Sequence, residues 1–504
     1  MKKLLPLIVL TCACLISPQP KAASAEVGPG NASGATREMS PAEMQADFDL
    51  MRRALEEAHP GLYRYSTKAE MDRWFDGQRA KLSGAMTKGK FEAVLAETVA
   101  QIRCGHTSMK PDAETEAAMK NARKLPLRVL VEGQRLMVLF NDTPDDRTIC
   151  PGMEIVEING HKAADLINRF LPLASTDGDI QTGKRRGIAG RFAQYYWWIV
   201  ERPDDFTVKA TDTPGKIVTA KLTGVTDEER KKNQNPVNDP MKAAAGKLMN
   251  EPRENLSLRF LKDPQVAAIR VRYFVGDNFP QLVEKTFKTL REKGTETLIL
   301  DLRDNGGGDD MYGALLVSYL TDKPFRYFDH INVKTITPSF KEHTDLKVDA
   351  KALARFREGS TPNPAGGYLL TPKMHPGLAE QQPGKHPFLG KVFILIDGGT
   401  FSTAADFCAV VHHLKRATVV GEETGGGYYG NNSGMMPTLT LPNSKVKVRL
   451  PLYEYWNAVD GYDGKRRGTR PDYVVELKTA DVLRGVDGQL DRALKLAAGS
   501  EPAK

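Results

Sequence analysis

The stretch KVFILIDGGTFSTAADFCAVVHHL, residues 391–414, decides how the rest of the chain is read. Its apolar run suits a strand buried on both faces, Gly398-Gly399 supplies a turn, and STAADFCAVVHHL then runs as a helix. This is a strand–turn–helix corner. Working upstream, QVAAIRVRYF, FPQLVEKTFKTLREKG, ETLILDLR and MYGALLVSYL alternate between the two patterns, and ATVVGEE follows downstream. Apolar strands separated by helices predict an α/β unit with a mainly parallel sheet covered on both faces. Its site is expected at the carboxyl ends of the strands. An insertion rich in Pro, Gly, Lys and His, residues 330–388, is too long for an idle connection and suits a segment that caps a site.

Ser402 stands at the corner, where a hydroxyl faces solvent and the helix N-terminus offers unsatisfied N–H groups and a positive dipole end. Such a place stabilises an oxyanion, and the Thr403 N–H is the natural first donor. The competing assignment is that Ser402 or Thr400 merely caps the helix. A second loop, Asn305-Gly306-Gly307-Gly308, follows the strand of LILDLR. Glycines there let the backbone approach a ligand and expose further donors; a plain glycine turn is the alternative. A phosphate cradle is disfavoured, since neither GxxxxGK[ST] nor a strand-GxGxxG-helix arrangement occurs. Asp301 and Arg303 read as scaffold residues at a strand end.

The chain's 504 residues suggest about three domains. Residues 38–115 carry helical periodicity, opening with Ser40 and Glu43 as a capping box and ending at Cys104-Gly105-His106-Thr107. Residues 120–225 alternate like strands, and PGMEIVEINGHKAADLI resembles a PDZ-like module, which takes an extended peptide as an added strand at a sheet edge. Residues 226–254 are polar and proline-interrupted, as in a linker, and residues 255–498 form the α/β unit.

Met1-Lys2-Lys3, the apolar run after it and Ala23-Ser24-Ala25 have the layout of a secretory signal, residues 1–25, placing the mature chain in the periplasm or outside the cell. Lipid attachment at Cys12 or Cys14 is the minor reading, and no later segment is apolar enough for stable membrane insertion. Cys104, Cys150 and Cys408 remain; a Cys104–Cys150 bridge is one pairing open to them, and Cys408 suits a helix face in the core. Neither CxxC in the mature chain nor HExxH supports a metal site. The net charge of +8 is scattered over short clusters, and an exported chain is not expected to bind nucleic acid.

LILDLRDNGGG, IDGGTFSTAADF, RATVVGEETGG and GTRPDYVV, in that order, resemble the C-terminal processing, or tail-specific, serine peptidases and their tricorn-core relatives. The resemblance implies a crotonase-like α/β core, a peptide or protein substrate, no cofactor, Ser402 as nucleophile, and an oxyanion hole from Thr403, Gly306 and Gly307. The tail-specific branch uses a lysine in a GKG segment after the VGE strand. Here that place reads Thr424-Gly425-Gly426-Gly427, without lysine. The tricorn-like branch uses a histidine in a motif similar to GHT, which Gly105-His106-Thr107 matches, so His106 is the implied base. That branch also places an acid shortly before G-x-x-P-D. Asp463 is the choice here, with Asp460 and Glu454 as alternatives. The lost lysine also leaves room for a catalytically silent peptide-binding protein of the same fold.

Overall fold

The computed structural model describes residues 37–212, 215–232, 234–248, 254–261 and 265–499. The expected signal segment 1–25, with Cys12 and Cys14, lies outside the described residues. The chain is mixed α/β. Its central sheet has six strands in the order Leu256–Phe260, Val266–Val271, Thr297–Asp301, Lys391–Ile396, Thr418–Gly421 and Tyr473–Val474. All pairings are parallel except that of the first strand. Val266–Val271 and Thr297–Asp301 are joined through the helix Phe279–Glu292. Leu298, Leu300, Ile394 and Ile396 pack on one face of the sheet while Ile299, Phe393 and Leu395 pack on the other, the period-two alternation of a sheet covered on both sides.

A second sheet is wholly antiparallel: Leu127–Glu132, Arg135–Asn141, Glu154–Ile158, Asp205–Thr211 and Ile217–Thr223, in that order. The helices Ala163–Phe170 and Gln181–Tyr195 close its apolar face, giving this module a core of its own.

The helical segment 38–115 lacks that independence. Its first helix, Pro41–Ala58, has the expected capping box, Ser40 accepting from the Glu43 N–H and Glu43 accepting in return. Yet Phe48, Phe75, Phe91 and Cys104 belong to the same apolar cluster as Phe274, Phe407 and Tyr455 of the α/β unit. The two regions therefore share one core and cannot separate without exposing it.

Three regions take definite form in the structure. The segment read as a linker forms the helices Asp227–Lys232 and Asp239–Leu248. Two of its asparagines are buried and bond to the module: Asn238 exchanges hydrogen bonds with the Asn141 backbone at 2.8 Å each way, and the Asn235 amide donates to the Thr143 carbonyl. The insertion is built into the fold. Phe328–Val333 pairs with both Tyr453–Asn457 and Tyr368–Leu370 in a five-stranded sheet, and Ser339 is bound to Glu57 of the first helix. Cys104 and Cys150 are free thiols, one buried in the shared core and the other in the antiparallel module.

Candidate active site

The turn Asp397–Phe401 carries the chain from the strand Lys391–Ile396 into the helix Thr403–His413, every residue of which from Thr403 to Val411 is buried. Ser402 joins them with φ 56° and ψ −133°. An L residue adopts this left-sided conformation at a cost of about 1–3 kcal/mol, and it persists only where the surroundings impose it. Here they do. The neighbouring Leu302–Gly308 segment is laced to the turn and to the first residue of the helix: Asp304 N–H to Asp397 Oδ1 at 2.8 Å, Phe401 N–H to the Asn305 carbonyl at 2.9 Å, Thr400 Oγ1 to the Leu302 carbonyl at 2.9 Å, and Thr403 Oγ1 to the Gly308 carbonyl at 2.8 Å. Neither Ser402 nor Thr400 caps the helix. The Ser402 side chain accepts no helix N–H, and Thr400 spends its hydroxyl on Leu302 and on the Asp397 N–H.

Ser402 Oγ lies 3.1 Å from His106 Nε2, across 296 positions of sequence. His106 is 8% exposed, and its ring packs on Phe401 with centroids 4.6 Å apart. Burial, with Arg449 adding to it, pushes its pKa down to about 3, so the imidazole is neutral at neutral pH. A neutral ring that accepts the serine proton at Nε2 carries its own hydrogen on Nδ1, which is buried without a partner among the described residues. Of the nine histidines, this one alone is bonded to Ser402.

The loop that holds His106 is pinned beyond the motif itself. Thr107 Oγ1 bonds His59 Nε2 at 2.8 Å, and burial drives His59 down to about 3. The Gly105 N–H donates to Asp177 Oδ1 at 2.8 Å. Neither residue stands out in the sequence. His59 ends the first helix in His-Pro-Gly, and Asp177 sits in an Asp-Gly turn, so each looks like punctuation.

The expected acid does not reach His106. Asp463 has its side chain 84% exposed and meets Arg470 at 3.3 Å. Asp460 stands in solvent beside His413, and Glu454 is occupied by Arg64 and Asn332. A carboxylate beside glycine in a turn gains more from water and a nearby guanidinium than from a buried ring. What the segment before Asp472 contributes is structural: Glu423 holds Arg467 Nε at 2.8 Å and the Gly468 N–H at 2.9 Å.

The expected oxyanion donors divide. The N–H groups of Thr403 and Gly306 make no hydrogen bond among the described residues. Gly307 does not join them, because its N–H donates to Asn305 Oδ1 at 2.9 Å. Its part is steric: at φ 99°, a Cβ there would sit 2.7 Å from the Ser402 Cβ and 2.9 Å from the Thr403 nitrogen. The lysine-less loop is also a contact surface. A Cβ on Gly426 would fall 2.5 Å from the Ala405 Cβ, and the Gly425 N–H bonds the Thr400 carbonyl at 2.9 Å. Glycine is needed there so that the backbone can lie against the helix that Ser402 opens.

Residues 265–475 match the family described as peptidase family S41. The crystal structure of mature CPAF is similar in fold, with 15% identity over 92% of this chain and 99% of that one and a TM-score of 0.61. Mature CPAF complexed with lactacystin gives 16% identity, 90% and 97% coverage and a TM-score of 0.61. The photosystem II D1 C-terminal processing protease gives 14% identity, 88% and 98% coverage and a TM-score of 0.41. No curated protein sequence matches.

Proposed function

We propose that this chain, a serine-type peptidase belonging to family S41, hydrolyses peptide bonds through an acyl-enzyme on Ser402 with His106 as general base. The observation that carries the reading is the 3.1 Å contact between Ser402 Oγ and His106 Nε2 at a strained strand-to-helix corner. The Ser402 oxygen attacks the scissile carbonyl while its proton passes to Nε2, and the carbonyl oxygen takes the negative charge. The N–H groups of Thr403 and Gly306 receive that charge at the positive end of the helix. On collapse, the C–N bond breaks and the Nε2 proton goes to the leaving amine. Water then repeats the sequence on the ester, giving up a proton to Nε2 as it attacks and regenerating Ser402 with it.

In this reading the α/β unit is crotonase-like. The antiparallel module is PDZ-like, supported by its five main strands and the helix Gln181–Tyr195 against the strand Leu127–Glu132. The Met1–Ala25 leader marks export.

A fluorophosphonate probe tests the chemistry. Ser402 is expected to be labelled in the native protein and in neither Ser402→Ala nor His106→Ala. Labelling that survives the histidine change would remove the base, and a native protein that resists the probe would favour a silent peptide-binding role.

A further inference from the structure

The segment Thr176–Asp179, between the helices Ala163–Phe170 and Gln181–Tyr195 of the antiparallel module, meets both the loop that carries His106 and the glycine loop Gly425–Gly427. Thr176 Oγ1 donates to the Gly425 carbonyl at 3.2 Å, and the Gly178 N–H donates to the Arg103 carbonyl at 2.9 Å. Asp179 is paired with Arg103 and Arg466. Between them lies Asp177, fully buried. One carboxylate oxygen accepts the Gly105 N–H at 2.8 Å, and the other accepts the Gly427 N–H at 3.2 Å. Gly105 precedes His106. Gly427 ends the glycine loop that lies against the Ser402 helix.

We propose that Asp177 is a positioning residue whose carboxylate ties the Gly105 amide to the Gly427 amide and so sets the reach of His106 to Ser402. The proposal rests on the reading of Ser402 and His106 as the reacting pair. Only an ionised carboxylate presents acceptors on both oxygens; protonation turns one of them into a donor and releases one loop. Burial pushes the Asp177 pKa up to about 6, while the two amide hydrogen bonds and Arg64 hold it down. The other titratable groups facing it are Tyr65 and Cys104 from the helical segment and Asp406 on the helix that Ser402 opens. His106 itself, at about 3, cannot give rise to a change near pH 6.

The test is Asp177→Asn in the full chain, read by probe labelling of Ser402 against pH and by amide exchange at Gly105 and Gly427. Asparagine keeps one acceptor and turns a donor toward the other amide. Exchange at one or both glycines is expected to rise at least about tenfold. Labelling is expected to slow by about 10- to 100-fold, the scale of a misplaced catalytic group. In the native protein the labelling rate should fall below about pH 6, and that limb should vanish in the variant. If the variant fails to fold, the native protein still decides, because the two amides must lose protection on acidification in step with the labelling rate. Amides in the variant as protected as in the native chain would overturn the proposal, and so would native amides indifferent to pH between about 5 and 8. A native protein that is never labelled, yet loses amide protection in Asp177→Asn, would count against the peptidase reading and leave the clamp standing.

Discussion

Ser402 and His106 meet at 3.1 Å, yet they are held there by different means. The serine side lies within one sheet. Four hydrogen bonds lace its turn and the first residue of its helix to the neighbouring Leu302–Gly308 segment, and the fixed geometry sustains a backbone conformation that serine does not choose. The histidine side is assembled from three distant segments: His59 on Thr107, Asp177 on Gly105, and the Phe401 ring on the imidazole. None of these touches Nδ1, which stays buried and unpartnered among the described residues, at a desolvation cost of about 1–3 kcal/mol. The nucleophile is thus set by its own chain neighbours, and the base by docking.

The strongest way to break this contrast is to remove either member. Ser402→Ala and His106→Ala should each lower peptide turnover on the order of 10⁵-fold or more, and the double variant should be little worse, because the two act as a unit. A His106→Ala protein retaining a tenth of native turnover would show that the docked side is dispensable.

Next in size is Gly307→Ala. The added methyl is strained at φ 99° and collides with Ser402 and the Thr403 nitrogen. Displacing that amide should cost about 10²- to 10³-fold in turnover, comparable with losing an oxyanion donor. Substrate binding should change much less, so a rise confined to KM would contradict the placement.

A third change acts on stability rather than rate. Asp301, at the end of a central strand, is buried between Arg303 and Arg270, and these guanidinium groups hold its carboxyl well below the usual range. Arg303 also reaches Asp487 at 2.8 Å, tying the strand to the last helix, Gly488–Ala497. Arg303→Met should destabilise the fold by about 3 kcal/mol at neutral pH, measured by denaturant unfolding, because it leaves the buried Asp301 to Arg270 alone and takes from Asp487 its partner. A carboxyl whose pKa is depressed on folding stabilises the fold above its unfolded value. That contribution is lost as pH falls through the folded value, so the gap between variant and native protein should narrow in acid. The labelling rate of folded variant molecules should stay near the native rate.

The same contrast governs what could be read in the sequence. The strand–turn–helix corner, the glycine loop and the parallel order of strands are local or periodic signals, and the residues 266–318 and 391–421 adopt them as expected. Gly307 lies against Ser402, but its N–H is not the expected oxyanion donor, because the side chain of Asn305 two residues earlier takes it. His59 and Asp177 had no signal at all. Their roles exist only once three segments dock, and no spacing rule connects residue 177 with 105 and 427. The roles of Asn235 and Asn238 in the polar stretch 226–248 are hidden for a related reason: they satisfy the backbone at Asn141 and Thr143 only once the stretch packs on the module.

Asp463→Asn is the smallest change and bears most directly on the histidine side. In a triad the acid fixes the imidazole tautomer and stabilises the imidazolium, and losing it costs several powers of ten. Asp463 does neither here, since its carboxylate lies in solvent against Arg470 and has no contact with Nδ1. The variant should therefore retain turnover within about twofold, as an exposed pair contributes little. Its pH profile should also superimpose on that of the native protein. A loss of about a hundredfold or more would mean that substrate binding carries the turn containing Asp463 inward to meet Nδ1. The docked side would then be completed only in the complex, while the serine side is already built.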